Sequence, residues 1–555
     1  MPLAERVRER APRLALVLSL GAILLFVLLI TLPFINQPFH MDDGTFLDFA
    51  KVNLVHPFQQ HIPDYHLMGV DITAFRDTHP ALDWLYITAL MKLTGSDSER
   101  VLHLGYIIFP LTAAVSMFFL SRRFISNALL ATLLLLATPA LMTASHTLMG
   151  DMPLLALWLA ATAIYIYGVD RDDMRLLPLA GVATTLAIFA GYQGLALLAL
   201  LPAYAWLNHR LSWRTALPLL LPAATFSLYT IYNYIDYGGP PRFTHAGGLS
   251  LQEGDLFGRF QGALLQVGGA SVFPLALAGI FCLRRRRYFL LVAVGATVSA
   301  WGAYHYRYDA YTAAAAVLFV IFMTAVVMAL LSIATDGIGQ LRRIVKRLDF
   351  DADFVFLALW LISMLAAVIV LLPHSTAKYS LPFLAPLILL IFREAEARIA
   401  SRTPLMLIMS LAVLFTLASG VVVSAADYQL AETYRDYALS FNRSYQTGGT
   451  VWFVGEWGFR HYMESQGYRY LTTDSTAPSP GDLIVKPRLS EWPLAGQVTS
   501  RMKLIGTTAV EGTLPVRVMS FEAGAGLYGN FWGPLPYSIL DAPIERFDVY
   551  QVSDS

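Results

Sequence analysis

Asp42 and Asp43 stand side by side where the first long apolar run of the chain ends. A second isolated carboxylate, Asp151, sits in the turn His146-Thr147-Leu148-Met149-Gly150-Asp151-Met152-Pro153 between two later apolar runs. A carboxylate within reach of a hydroxyl can take its proton, and an adjacent pair can also hold a divalent cation. Both positions have an ordinary use as well, because acids and an early proline suit the first turn of a helix, where unpaired N–H groups and the dipole favour negative charge. Cations expected on the same outer side are Arg242, Arg259, Arg307 in Tyr304-His305-Tyr306-Arg307, and Lys378 in Lys378-Tyr379-Ser380-Leu381-Pro382. They can stabilise developing negative charge. Arg307 and Lys378 also read as long side chains snorkelling from an aromatic belt, and Arg242 and Arg259 as solvated loop residues.

These residues need elements to hold them, and the composition says which kind. The chain has 555 residues, 56% hydrophobic and 14% charged, with 39 Lys+Arg balancing 39 Asp+Glu. That charge content lies far below the quarter or so of a soluble globular protein, and the hydrophobicity excludes a disordered chain. Zero net charge offers no footprint for nucleic acid. The single Cys282 cannot form an internal disulfide.

Counting stretches of about 20 apolar residues, the length that crosses a bilayer core of about 30 Å, gives about thirteen spans. They lie near 14–34, 101–120, 126–144, 152–168, 177–192, 194–207, 215–235, 263–283, 288–304, 310–333, 354–373, 379–392 and 405–425. Every second loop is basic: Arg122 and Arg123, Arg171 and Arg175, Arg210 and Arg214, Arg284 to Arg287, Arg342 to Arg347, Arg393 to Arg402. By the positive-inside rule the N-terminus is cytoplasmic and the C-terminus is outside. The first span reads as an uncleaved anchor.

Two large segments then lie outside, a first loop at about 35–100 and a tail at 427–555. In the loop, Gly44–Val55 has helical apolar spacing and reads as an amphipathic helix in the membrane interface, and Trp84–Leu93 as a segment lying on or dipping into the membrane. The tail reads as a folded α/β domain. Strands are expected at Thr450–Val454, Tyr468–Leu471, Asp482–Val485 and Val516–Phe521, with a helix at Phe459–Gln466. Glu456, between Trp452 and Trp457, falls in a strand-to-helix turn. Of the 12 histidines all but His209 fall on or near the outer side. His40 with Asp42, or His56 with His61 and His66, can bind a divalent ion, although their spacings match no tight ligand motif.

The order of anchor helix, Asp42-Asp43, Thr78-His79-Pro80-Ala81-Leu82, Arg122-Arg123 and Gly150-Asp151-Met152-Pro153 resembles the GT-C superfamily of polyprenyl-phosphate-sugar-dependent glycosyltransferases. Nearest in pattern are the protein O-mannosyltransferase-like group and the lipid A aminoarabinose transferases. The resemblance covers about residues 14–395. It implies an α-helical polytopic membrane protein of the GT-C fold with about thirteen transmembrane helices over residues 1–426, followed by an extracytoplasmic α/β domain over 427–555. It implies a catalytic base at Asp42, with Asp43 in the position that relatives fill with Glu, and a functional Asp151. Asp77 and His79 match an acidic and a basic position of the first loop. Lys378 and Tyr379 match a basic-Tyr motif suited to the donor phosphate. The chain departs from the pattern at Tyr192-Gln193-Gly194, where many relatives carry a Lys-Gly pair, and at Ala81, where they carry proline. The phosphate contact of those relatives is then lost or supplied elsewhere, and Gln193 stands among the substrate-binding candidates.

The expected reaction is transfer of a hexosyl or pentosyl group from a polyprenyl-phosphate sugar to a lipid, protein or polysaccharide hydroxyl. It would occur at the outer face of the cytoplasmic (inner) membrane, among membrane lipids. The resemblance leaves the metal requirement open, since relatives range from metal-independent to metal-assisted. A transporter or lipid flippase is the competing reading; it predicts paired repeats and ionisable residues mid-span. A third reading is a membrane-anchored assembly protein whose tail does the work.

Overall fold

The computed structural model describes residues 3–57, 65–71, 79–237, 256–271, 275, 286–308, 311–372, 374–399, 401–445 and 448–554. Among these, seven helices are long and apolar enough to cross a membrane: Arg13–Phe34, Glu99–Phe124, Asp151–Arg171, Trp213–Ile235, Ala313–Val345, Ala352–Leu371 and Arg402–Ser444. Three shorter apolar helices, Ala128–Ala137, Leu176–Ala190 and Tyr192–Leu207, pack among them. The 126–144 stretch is two helices, Ala128–Ala137 and Pro139–Ala144, because Pro139 forces Thr138 into an extended conformation with ψ 137° and cannot continue the first ladder. The expected 263–283 span lies partly outside the described residues.

The first loop differs from its sequence reading. The Asp43–Val55 helix forms, but its apolar residues Phe46, Leu47, Phe49 and Ala50 are buried. Phe49 stacks on Trp84 with ring centroids 5.0 Å apart, and Trp84 belongs to a second buried-faced helix, Leu82–Thr94. The stripe that looked membrane-facing is covered by protein. The segment just before the Asp43–Val55 helix meets the C-terminal domain: a Cβ on Gly458 would lie 2.2 Å from the Phe39 carbonyl oxygen, so only glycine permits the approach at that point.

The last long helix, Arg402–Ser444, runs unbroken through residue 427 and rises into that domain. A five-stranded sheet follows, in the order Arg469–Tyr470, Val451–Phe453, Leu483–Pro487, Glu545–Val552, Met502–Val510. Val451–Phe453 pairs parallel with both neighbours, and Glu545–Val552 pairs antiparallel with both of its own, with a bulge at Val549/Tyr550. The helix Trp457–Ser465 packs beneath, its Phe459 and the strand residue Phe547 joining Tyr437 of the long helix in one aromatic core. The expected strand at Val516–Phe521 is instead two short pieces, Val516–Arg517 and Met519–Ser520, outside the main sheet. Its sequence alternates, but residues 517–520 are all buried, so the segment serves a packed connection rather than a two-faced sheet.

Candidate functional site

Three residues far apart in sequence meet at the end of the helical bundle beneath the C-terminal domain. Lys378 Nζ lies 3.3 Å from Asp151 Oδ2 and 3.9 Å from Asp42 Oδ2. All three side chains are partly accessible, at 14%, 15% and 24%. Burial pulls the Lys378 pKa down, but Asp151 and Asp42 outweigh it, so the ammonium is held protonated. It also donates to Met149 Sδ at 3.3 Å.

The local backbone explains each placement. Asp42 precedes the Asp43–Val55 helix, and its carbonyl accepts the Phe46 N–H at 3.0 Å, but its carboxylate makes no capping bond. Asp43 takes the structural work instead. Its Oδ2 accepts the His40 N–H at 2.9 Å and its Oδ1 accepts the Leu148 N–H at 2.7 Å. That second bond ties the first loop to the turn carrying Asp151. Between His40 and Asp42, Met41 has φ +46°, a left-handed conformation that costs a non-glycine residue about 1–3 kcal/mol and survives only where its surroundings over-determine it. Burial lifts the Asp43 carboxyl to about 7. The adjacent acids thus divide: Asp43 is fully buried and hydrogen-bonded, while Asp42 faces the ammonium.

Asp151 opens the Asp151–Arg171 helix, with Pro153 in its first turn. The residue before it must be glycine, because a Cβ on Gly150 would lie 2.3 Å from Asp83 Oδ2 and 2.8 Å from the Ala190 carbonyl oxygen. Asp83 is a fourth carboxyl at the site, which sequence reasoning missed. It is buried, neither oxygen has a hydrogen-bond partner among the described residues, and burial followed by repulsion from Asp151 raises its pKa well above the carboxylate range. Its signal was its position directly after Thr78-His79-Pro80-Ala81-Leu82.

Beside the site lies a second missed group. Asp427, fully buried in the Arg402–Ser444 helix, pairs with His40 Nε2 at 3.2 Å and accepts the Tyr528 hydroxyl at 2.8 Å. A single acid following the apolar run 405–425 was the available clue. His40 Nε2 thus lies within ion-pair distance of Asp427 Oδ1, without hydrogen-bond geometry. Among the described residues no group of three or more His, Cys, Asp or Glu is placed to hold a metal ion.

The other expected residues are dispersed. Tyr379 follows Lys378, whose Nζ stands 5.8 Å from its ring. His79 begins the Leu82–Thr94 segment, its ring edge-on to Phe46 at 5.3 Å. Gln193 lies in the turn Tyr192–Ala196 that follows the helix touching Gly150, and has no hydrogen bond to Asp42, Asp151 or Lys378. The Arg259 carbonyl accepts the Ser375 hydroxyl at 3.3 Å, close to the Lys378 turn. Asp77 and Arg242, and the side chain of Arg307, lie outside the described residues. Glu456 does occupy the strand-to-helix turn, but it is buried, accepting the Met68 N–H at 2.7 Å and the Tyr470 hydroxyl. It docks the first loop onto the C-terminal domain.

Residues 77–234 match the family model of dolichyl-phosphate-mannose-protein mannosyltransferases. That segment contains Thr78–Leu82, Arg122-Arg123 and Gly150–Pro153, three of the motifs that carry the resemblance. Among solved structures, the chain is similar to ArnT from Cupriavidus metallidurans bound to undecaprenyl phosphate, with 15% identity, 88% of this chain and 96% of that chain covered, and a TM-score of 0.41. It is also similar to the oligosaccharyltransferase AglB from Archaeoglobus fulgidus in complex with an inhibitory peptide and a dolichol-phosphate. There the identity is 13%, the coverage 84% of this chain and 69% of that one, and the TM-score 0.44. No curated protein sequence matches the chain.

Proposed function

We propose that the protein is a membrane glycosyltransferase that moves a sugar from a polyprenyl-phosphate donor to a hydroxyl acceptor, with Asp42 as the general base. The single observation that carries this reading is the position of one protonated lysine between two accessible carboxylates, Asp42 and Asp151, which come from widely separated parts of the chain. A lipid phosphate entering the site exchanges places with a carboxylate on the Lys378 ammonium, and a carboxylate so released is free to accept a proton. The acceptor oxygen then attacks the anomeric carbon as the bond from that carbon to the phosphate oxygen breaks. The hydroxyl proton passes to Asp42 and the electron pair leaves on polyprenyl phosphate. Lys378 offsets the charge that gathers there, and Asp151 holds Lys378 in place. The resemblance to GT-C enzymes and the mannosyltransferase family match over residues 77–234 support the same reaction class.

Orientation follows from charge. Arg122, Arg123, Arg171 and Arg210 gather at the far end of the bundle, which by the positive-inside rule is cytoplasmic. The site and the C-terminal domain then lie on the outer face of the cytoplasmic membrane. Lipid, protein and polysaccharide acceptors all present the hydroxyl this site needs.

The test uses purified full-length protein, labelled polyprenyl-phosphate hexoses and pentoses, and a membrane extract as acceptor source. Movement of label from donor lipid to a new product is expected. If no donor yields product and the reconstituted protein instead carries the labelled lipid across vesicles, the chain is a flippase.

A further inference from the structure

The segment Gly526–Asn530 of the C-terminal domain reaches back to the helical bundle and touches both halves of the site. On the lysine side, the Leu527 carbonyl accepts the Ala377 N–H at 3.0 Å, the Asn530 N–H donates to the Ser375 carbonyl at 3.0 Å, and Asn530 Oδ1 accepts the Ser375 N–H at 3.0 Å. These bonds pin the residues immediately before Lys378. The segment is itself anchored where Gln266 Nε2 donates to the Gly526 carbonyl at 2.9 Å. On the base side, the Tyr528 hydroxyl donates to Asp427, Asp427 pairs with His40, and the Tyr528 and His40 rings meet edge-on at 5.3 Å. His40 is two residues before Asp42, across the left-handed Met41. Asp427 and His40 are fully buried.

We propose that residues 526–530 are a positioning element which sets the separation of Lys378 and Asp42, so that the C-terminal domain is a working part of the active site. Asn530 and Tyr528 are its positioning residues: Asn530 governs where the lysine meets the donor phosphate, and Tyr528 governs where the base meets the acceptor hydroxyl. The inference rests on the glycosyltransferase reading and deepens it. Backbone bonds of this kind cannot be exchanged for water without freeing the turn, and small displacements of reacting groups carry large penalties, on the order of a hundredfold for 1 Å.

The test compares binding of a polyprenyl monophosphate to the full-length wild type, Lys378→Met, Asn530→Leu and Asn530→Asp, together with steady-state transfer by Tyr528→Phe. Asn530→Leu removes the acceptor for the Ser375 N–H at similar size, and Asn530→Asp keeps it. The expected result is binding weakened about 10–100-fold in Lys378→Met and about tenfold in Asn530→Leu but near wild type in Asn530→Asp. Tyr528→Phe should lower kcat about tenfold with the donor KM little changed. A purely structural role would lower the melting temperature of these variants without this split between binding and kcat. If Lys378→Met weakens binding and both Asn530 variants bind as wild type, the positioning role is wrong and the site assignment stands. The same conclusion follows if Asn530→Asp fails as badly as Asn530→Leu. If Lys378→Met itself binds normally, the phosphate assignment fails and takes this inference with it.

Discussion

The two ends of the helical bundle handle charge in opposite ways. The helix Asp151–Arg171 runs from one to the other over 21 residues, a length of about 30 Å. At its far end Arg123 donates to Asp170, to both oxygens of Asp353 at 2.9 and 3.1 Å, and to the Tyr204 hydroxyl at 3.1 Å. Arg393 donates to Asp351 at 2.7 Å, and Glu396 accepts the N–H groups of Ser126 and Asn127. Each of these charges meets an opposite charge or several donors. At the near end one ammonium faces Asp42 and Asp151, with Asp83 buried behind them. A matched network has nothing left to offer a ligand. Among the described residues the near end keeps a carboxylate, Asp42, without a hydrogen bond of its own and a cation held by longer, exchangeable contacts, which is the condition for doing chemistry.

The contrast is broken most severely by Asp42→Asn, which keeps the shape and removes the proton acceptor. Transfer should fall by about 10²–10⁴-fold in steady-state assays while donor binding persists. Next, Lys378→Met should weaken donor phosphate binding about 10–100-fold, the worth of a charge-assisted contact at about 1.5–3 kcal/mol, measured by equilibrium binding.

Arg123→Met should do the reverse. It strands Asp170 and Asp353, whose side chains are about a quarter exposed, and should cost on the order of 1–3 kcal/mol of stability by thermal unfolding, with donor affinity unchanged. A pH titration of stability reads buried acids of the C-terminal domain. Burial raises Glu545 and Glu456 from the ordinary 4.5 to about 7, so the folded state holds protons that the unfolded state has released. Their contribution to stability is therefore complete below about pH 4.5, declines as pH rises through 7, and is flat above. Glu545→Gln should reduce that slope in melting temperature. The smallest effect belongs to Lys51→Ala, whose partner Asp97 is half exposed at 3.2 Å; a change under about 1 kcal/mol is expected.

Much of this architecture was legible in the sequence because apolar length and turn chemistry are local. Asp42, Asp151 and Lys378 could each be singled out, and Gly150-Asp151-Met152-Pro153 reads as a helix start. What could not be read was which protein surface covers an apolar stripe. The Asp43–Val55 periodicity is the same whether Phe49 meets lipid or Trp84, so the protein cover of that stripe was not readable. Nor could the division between Asp42 and Asp43 be read, because it depends on the Leu148 N–H, more than a hundred residues away. Asp83, Asp427 and Tyr528 acquire their roles only through contacts across the fold. The two longest strands, Met502–Val510 and Glu545–Val552, were missed for different reasons. The first is an edge strand with no buried residue, while the second carries a readable alternation only over Phe547 and Val549, before its bulge moves the next buried residue to Val552.

The most direct test loads Asp42→Asn protein with a labelled polyprenyl-phosphate sugar and follows a single turnover after acceptor extract is added, beside the wild type. The account predicts that the wild type empties its label into product while the variant keeps its donor bound and intact. Transfer by the variant at the wild-type rate would contradict it.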